Sequence, residues 1–224
     1  MRIRMRKNRL PRRTLAALTA VFLLAAPTTA AHATAPPPPA SAQGLRTFQQ
    51  SYGLAPTGLV DTATAHLLRT APDSELRAAF ADPSDLGPEQ LAHARTVIGV
   101  GKGADLPEQG QVIALMAAMQ ESKFVNYTTP VDHDSLGIFQ QRPSMGWGTP
   151  KQITHVPTAS KSFYGLPSPT DNPGLLQIKG WESMEPGKAC QAVQRSAHPD
   201  RYAQWEGFAR DLLEREGPTV DPID

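Results

Sequence analysis

Glu121 is the residue whose setting departs furthest from ordinary packing. It closes the apolar run Ala117-Ala118-Met119-Gln120, where a carboxylate has no packing role. Burial disfavours the ionised form, and a helix C-terminus adds partial negative charge, so both effects raise its pKa. A carboxylic acid still protonated near neutral pH is what protonation of a glycosidic oxygen needs. An exposed helix-end glutamate in a surface ion pair is the competing reading. Trp147, between Gly146 and Gly148, is a candidate sugar-stacking platform, whereas Phe163, Tyr164, Trp181, Tyr202 and Trp205 sit where aromatic residues fill cores. Asp132-His133-Asp134 has oxygen and nitrogen donors, but no second cluster completes a metal site and no H-x-x-x-H spacing occurs. A solvated loop is expected there, with no metal and no cofactor. Gly99-Val100-Gly101-Lys102-Gly103 has the look of a phosphate loop. It lacks a preceding strand and a Ser or Thr after the lysine, so it predicts a helix ending in a glycine-rich turn. The lone cysteine, Cys190, lies in a helical segment as a buried, inert thiol.

The elements that hold Glu121 follow from periodicity. Pro107-Glu108 suits a first helical turn, and Val112, Ile113, Leu115, Met116 and Met119 make the helix apolar nearly all round. Such a helix belongs at the centre of a domain. Before it, a helix starts near Gly87-Pro88-Glu89, with a stripe of Leu91, Ala94, Val97 and Ile98. Further helices are expected near 150–164, 186–196 and 199–215, the last starting at Pro199-Asp200. Residues 125–149 are turn-rich and read as a folded loop region. Nearer the N-terminus, Leu45, Phe48 and Tyr52 share a helical face that Gly53 stops. Asp61 then caps a second helix carrying Ala65 and Leu68. A charged, proline-containing stretch separates this pair from the main domain.

Three motifs carry a resemblance. Glu121-Ser122-Lys123-Phe124 resembles the E-S-x-F start of the soluble lytic transglycosylases of the goose-lysozyme-like group. Gly137-Ile138-Phe139-Gln140, preceded by Ser135-Leu136, is similar to their G-L-M-Q motif. Gln191 to Ser196, with Tyr202, is more distantly similar to A-Y-N-A-G, with Val193-Gln194 in place of the usual Tyr-Asn pair. Asp134 to Thr149 also resembles the string D-S-L-G-L-F-Q-Q-R-P-S-x-G-W-G-T of secreted actinobacterial proteins. The resemblance implies a mostly α, goose-lysozyme-like helical domain over residues 88–216, acting on the glycan strand of peptidoglycan. Glu121 would be the general acid and then the base, while the sugar's own 6-hydroxyl attacks to give an anhydro product. Ser135, Gln140, Gln194 and Tyr202 would contact substrate, with Gln140 as an orienting amide. A hydrolase would need a second carboxylate, which Asp132 or Asp134 can supply. A silent wall-binding protein using the same groove is the non-enzymatic alternative.

Residues 43–73 form a small N-terminal helical hairpin of their own. Leu45 to Leu54 and Gly58 to Thr64 are similar to half of a peptidoglycan-binding module, with Thr57 in place of the usual aspartate. A helical spacer packed on the main domain is the other reading.

The first residues carry seven basic side chains and no acidic one. An apolar run from Leu15 to Ala26 follows, too short to span a bilayer, and Ala31-His32-Ala33 gives an A-x-A cleavage pattern. Residues 1–33 are therefore expected to be a signal peptide and 34–42 a proline-rich linker, which places the mature protein outside the cell or at its wall. Removing the seven basic residues from 22 leaves fifteen against 21 acidic ones, a net of −6 from residue 34 onward. That balance argues against nucleic acid and anionic membranes as partners and leaves peptidoglycan as the expected one.

Overall fold

The computed structural model describes residues 41–130, 132–167, 170 and 172–224. The expected signal peptide and nearly all of the linker lie outside them. Helices account for the architecture, and no strand forms among the described residues. Only an isolated antiparallel bridge joins Leu136 to Gln141. The described part of the chain is mostly helical, as its periodicity predicts.

The central helix is α5. In order, α1 spans Gln43–Ser51, α2 Thr62–Thr70, α3 Asp73–Ala79, α4 Pro88–Gly103 and α5 Glu108–Ser122. After the loop region come α6 (Pro150–Ile153), α7 (Val156–Tyr164), α8 (Pro186–Gln194) and α9 (Glu206–Glu216). Every residue from Val112 to Met119 is buried, because α4, α7, α8 and α9 all pack around α5. A helix with no polar face is stable only when enclosed in this way. Cys190 on α8 belongs to this core, its Sγ 3.2 Å from the Ile113 carbonyl.

The glycines at the end of α4 have a packing role. The helix runs on to Gly103, and the C-terminal tail lies across it, with the Ile223 amide donating to the Gly99 carbonyl at 2.9 Å. A Cβ at Gly103 would stand 2.2 Å from the Ile223 carbonyl oxygen. Lys102 Nζ donates to the carbonyls of Gly217 and Val220, each at 2.7 Å. The phosphate-loop look comes from this close backbone approach.

Local signals act as expected at several boundaries. The Asp61 side chain accepts from the Thr64 amide at 2.7 Å, and Gly53 takes a left-handed φ of 72° just after α1. Other boundaries differ. The two helices expected over 43–73 form as α1 and α2, and the charged stretch that follows, expected to be a connection, contains the further helix α3. The helix expected over 150–164 breaks at Thr154-His155, since Pro157 lies in the first turn of α7 and has no N–H to continue the earlier ladder. The segment starting at Pro199 makes two short 3-10 turns, Pro199–Arg201 and Ala203–Trp205, before α9 begins.

The N-terminal helices share the core of the rest. Leu45, Phe48, Leu68, Leu76 and Phe80 lie in one hydrophobic cluster with α4, α5 and α9. Polar ties reinforce the join. The Arg215 guanidinium donates to both carboxylate oxygens of Asp82, at 2.6 and 2.5 Å, and Tyr127 Oη donates to the Ala65 carbonyl at 2.9 Å.

Candidate active site

Glu121 stands in the last turn of α5, where the helix stops against a left-handed Lys123 (φ 56°) followed by Phe124 at φ 60°. Two successive left-handed residues turn the chain sharply and leave the Glu121 carboxyl at the wall of a cleft of about 950 Å³. Desolvation raises its pKa, the direction expected from the sequence. Tyr202 opposes that shift most strongly, its Oη donating to Glu121 Oε1 at 2.5 Å, followed by the Gln194 amide and the Lys123 ammonium. A carboxyl so placed keeps its proton to higher pH than a solvated one. The surface ion-pair reading fails, since the carboxyl is desolvated and no basic side chain among the described residues lies within salt-bridge distance of it.

Ser122 fastens the second motif to the first. Its Oγ donates to the Ile138 carbonyl at 2.7 Å and to the Ala118 carbonyl at 3.1 Å, so the 137–140 turn is clamped beside Glu121. Gly137 sits at φ 72°, and a Cβ there would lie 2.5 Å from the Ile153 carbonyl oxygen. Gln140 lines the cleft, but its Nε2 donates to the Gly137 carbonyl at 2.9 Å, within its own turn. Gln194 Nε2 donates to the Phe139 carbonyl at 2.9 Å, which ties the end of α8 to the same turn. Glu121, Ser135, Gln140, Trp147, Gln194 and Asp132 all line one cleft.

Two expected site residues do other work. Tyr202 is fully buried, so it contacts the Glu121 carboxyl and not a ligand in the cleft. Burial raises its own pKa far above the ordinary phenol range, so it stays a donor. Asp134 is occupied within its own loop. It accepts from Arg142 Nε at 2.7 Å, the Ser144 amide at 2.7 Å and Ser144 Oγ at 2.9 Å, contacts that hold its pKa well below the usual carboxylate range. It is absent from the cleft lining, so its role is to shape the loop. Asp132 does line the cleft, at its exposed rim, with His133 Nε2 at 3.7 Å.

Other residues of the site carried no recognisable signal. Gln120 Oε1 accepts from Trp205 Nε1 at 2.8 Å and from Gln204 Nε2 at 2.9 Å, anchoring the end of α5 to the turn before α9. Lys123 is buried, its Nζ donating to the Gln120 carbonyl at 3.1 Å, and burial pulls its pKa down to about 8. The N-terminal segment contributes Leu68 to Asp73 to the cleft wall, including Arg69. No group of three or more metal-binding side chains gathers among the described residues, and none of their helices is long and apolar enough to cross a membrane. Among known proteins, no family model matches the chain and no curated protein matches it.

Proposed function

We propose that the protein is a secreted, goose-lysozyme-like enzyme of the cell wall that cuts the glycan strand of peptidoglycan as a lytic transglycosylase. The observation that carries this reading is the Glu121 carboxyl, desolvated, bonded to Tyr202 and facing a cleft large enough for several sugar rings. The protonated carboxyl gives its proton to the glycosidic oxygen as the C1–O bond breaks. The resulting carboxylate is the acceptor that the Tyr202 hydroxyl is placed to stabilise. It then takes the proton of the sugar's 6-hydroxyl as that oxygen bonds to C1, closing the anhydro ring and restoring the acid. This route needs no second carboxylate, in keeping with the engagement of Asp134 inside its loop. Trp147 and the exposed Met145 give the cleft rim an apolar surface for a sugar face.

The test is lysis of purified cell walls by the wild-type chain and by Glu121→Gln, with circular dichroism to establish folding. One positioned acid contributes about 10²–10⁴ in rate, so the variant should lose at least that factor. Equal lysis by a folded variant removes Glu121 from the mechanism. A second reading, hydrolysis assisted by Asp132, is favoured by that residue's place on the same cleft. Product mass separates the two: anhydro ends mark the transglycosylase and reducing ends the hydrolase. If neither protein lyses walls yet both bind them, a silent wall-binding protein is the better account.

A further inference from the structure

The cleft inverts the charge of the chain that forms it. From residue 34 onward the protein carries a net of −6, yet Arg69, Lys123, Arg142, Arg195 and Arg201 line the cleft against only Asp73, Glu121 and Asp132. Two of these cations are already paired, Arg142 with Asp134 at 2.7 Å and Arg201 with Asp73 at 3.1 Å. Arg69, Lys123 and Arg195 have no carboxylate within salt-bridge distance among the described residues. A cleft lined by one sign of charge concentrates ligands of the other.

Arg69 is the best organised of the three. It lies in the last turn of α2, with its guanidinium carbon 3.5 Å from the centroid of the Tyr127 ring. Tyr127 is itself fixed by the bond from its hydroxyl to the Ala65 carbonyl. Arg69 Nε and Nη2 are buried against the Tyr127 side chain and meet no other acceptor among the described residues, while the Arg69 side chain also lines the cleft. A planar guanidinium held on an aromatic face has lost most of its rotamer freedom beforehand, and the ligand that matches its fork is a carboxylate.

We infer that the cleft selects glycan strands bearing free carboxylates over neutral glycans, and that Arg69, supplied by the N-terminal helices, is the residue that reads them. The inference rests on the glycan-cleaving reading of the same site and adds a role for the N-terminal segment as a wall of that site. Peptidoglycan offers the carboxylate in two places, on its peptide stems and, where a stem has been removed, on the lactyl group of the sugar.

Binding is measured by calorimetry on the intact chain carrying Glu121→Gln, so that turnover does not intervene. The probes are soluble peptidoglycan strands with stems intact, the same strands stripped of stems, strands whose carboxyl groups have been converted to amides, and a neutral chitin hexamer. Carboxylated strands should bind at least roughly tenfold more tightly than amidated strands or the hexamer, the worth of one charge-assisted fork. Arg69→Gln should remove that preference and leave amidated strands unaffected, whereas Arg69→Lys keeps part of it. Retention by stripped strands assigns the lactyl carboxylate, and its loss assigns the stem, both within the inference. Arg195→Gln, on the exposed rim, gives a second reading of the same electrostatics without touching the Tyr127 stack. Equal binding of carboxylated and amidated strands overturns the inference. So does an Arg69→Gln variant that weakens all probes alike, or the absence of binding to any strand. Failure of the enzymatic reading looks different: the wild-type chain would bind carboxylated strands with the same preference and release no cleaved product.

Discussion

Replacing Glu121 with glutamine tests the site without any assumption about substrate. The carboxyl has a raised pKa in the folded protein because burial penalises its charge. Below the unfolded-state value, near 4.3, both states hold the proton and pH has no effect through this group. Between that value and the raised folded one, the native state binds the proton and the unfolded state releases it, so stability falls as pH rises. The slope approaches about 1.4 kcal/mol per pH unit in that window and vanishes above it. Glutamine keeps the side-chain shape and an acceptor for Tyr202, but it has no proton to lose. The Tm of Glu121→Gln minus that of the wild type should therefore grow with pH from about 4 upward and then level off. For a protein of this size 1 kcal/mol corresponds to about 2–4 °C, so the growth has an upper bound of roughly 3–6 °C per pH unit. Differential scanning calorimetry between pH 4 and 8 measures it directly. A Tm difference that is flat across this range would mean that Glu121 ionises as a solvated carboxylate does, and the acid role would lose its physical basis.

Tyr202→Phe removes the donor that stabilises the Glu121 carboxylate, so the pKa of Glu121 rises further; the alkaline limit of wall lysis should move to higher pH while affinity for strands is unchanged. A pH–rate profile that keeps its alkaline limit would show that the bond does not act on the acid. Gly137→Ala forces a Cβ into a left-handed backbone at about 1–2 kcal/mol and into the Ile153 carbonyl, so Tm should drop by at least roughly 3 °C. An unchanged melting curve refutes the tight-turn argument. Asp132→Asn should retain lysis and anhydro products, since the transglycosylase route uses one carboxyl group. A loss on the scale of 10²–10⁴, together with reducing-end products from the wild type, would instead assign Asp132 to a hydrolytic role.

The sequence discloses those features whose causes are local. Asp61 caps its helix through the amide three residues on, and Pro107 stands immediately before α5. The all-round apolarity of α5 marks it as the central helix, and the misfit of a carboxylate at its end marks Glu121. Signals fade where local preferences compete. The segment Asp73–Ala79 is short and charged, and it becomes helical because Leu76 and Phe80 bury against α1 and the main core, a tertiary gain that no local pattern announces. The contacts that complete the site are also non-local. Tyr202 meets Glu121 across 81 residues, Gln194 meets Phe139 across 55, and Arg69 on α2 meets Tyr127 in the loop after α5. Tyr202 reads correctly as a core aromatic, but its hydroxyl partner is set by how the turn before α9 folds back over α5. The pairing of Asp134 was equally hidden. Its partner Ser144 lies ten residues away across a turn, so spacing alone left it as free as Asp132.

The departure at Val193-Gln194 is where the resemblance is weakest, and the structure bears on what the departure costs chemically. The usual pair brings a phenol and an amide, one able to donate to a carboxyl and the other able to hold backbone or sugar groups. Val193 fills the core instead and supplies neither function. Tyr202, eight residues beyond Gln194, supplies a phenol to Glu121 from the 3-10 turn ahead of α9, and Gln194 supplies an amide that grips the Phe139 carbonyl beside the carboxyl. Gln120 then holds that turn in place through Trp205 and Gln204, so the position of the phenol is fixed by the same helix that carries the acid. Both functional groups of the missing pair thus stand around Glu121, delivered by different residues. On the proposed reading, the departure from the motif relocates the support of the acid without abolishing it.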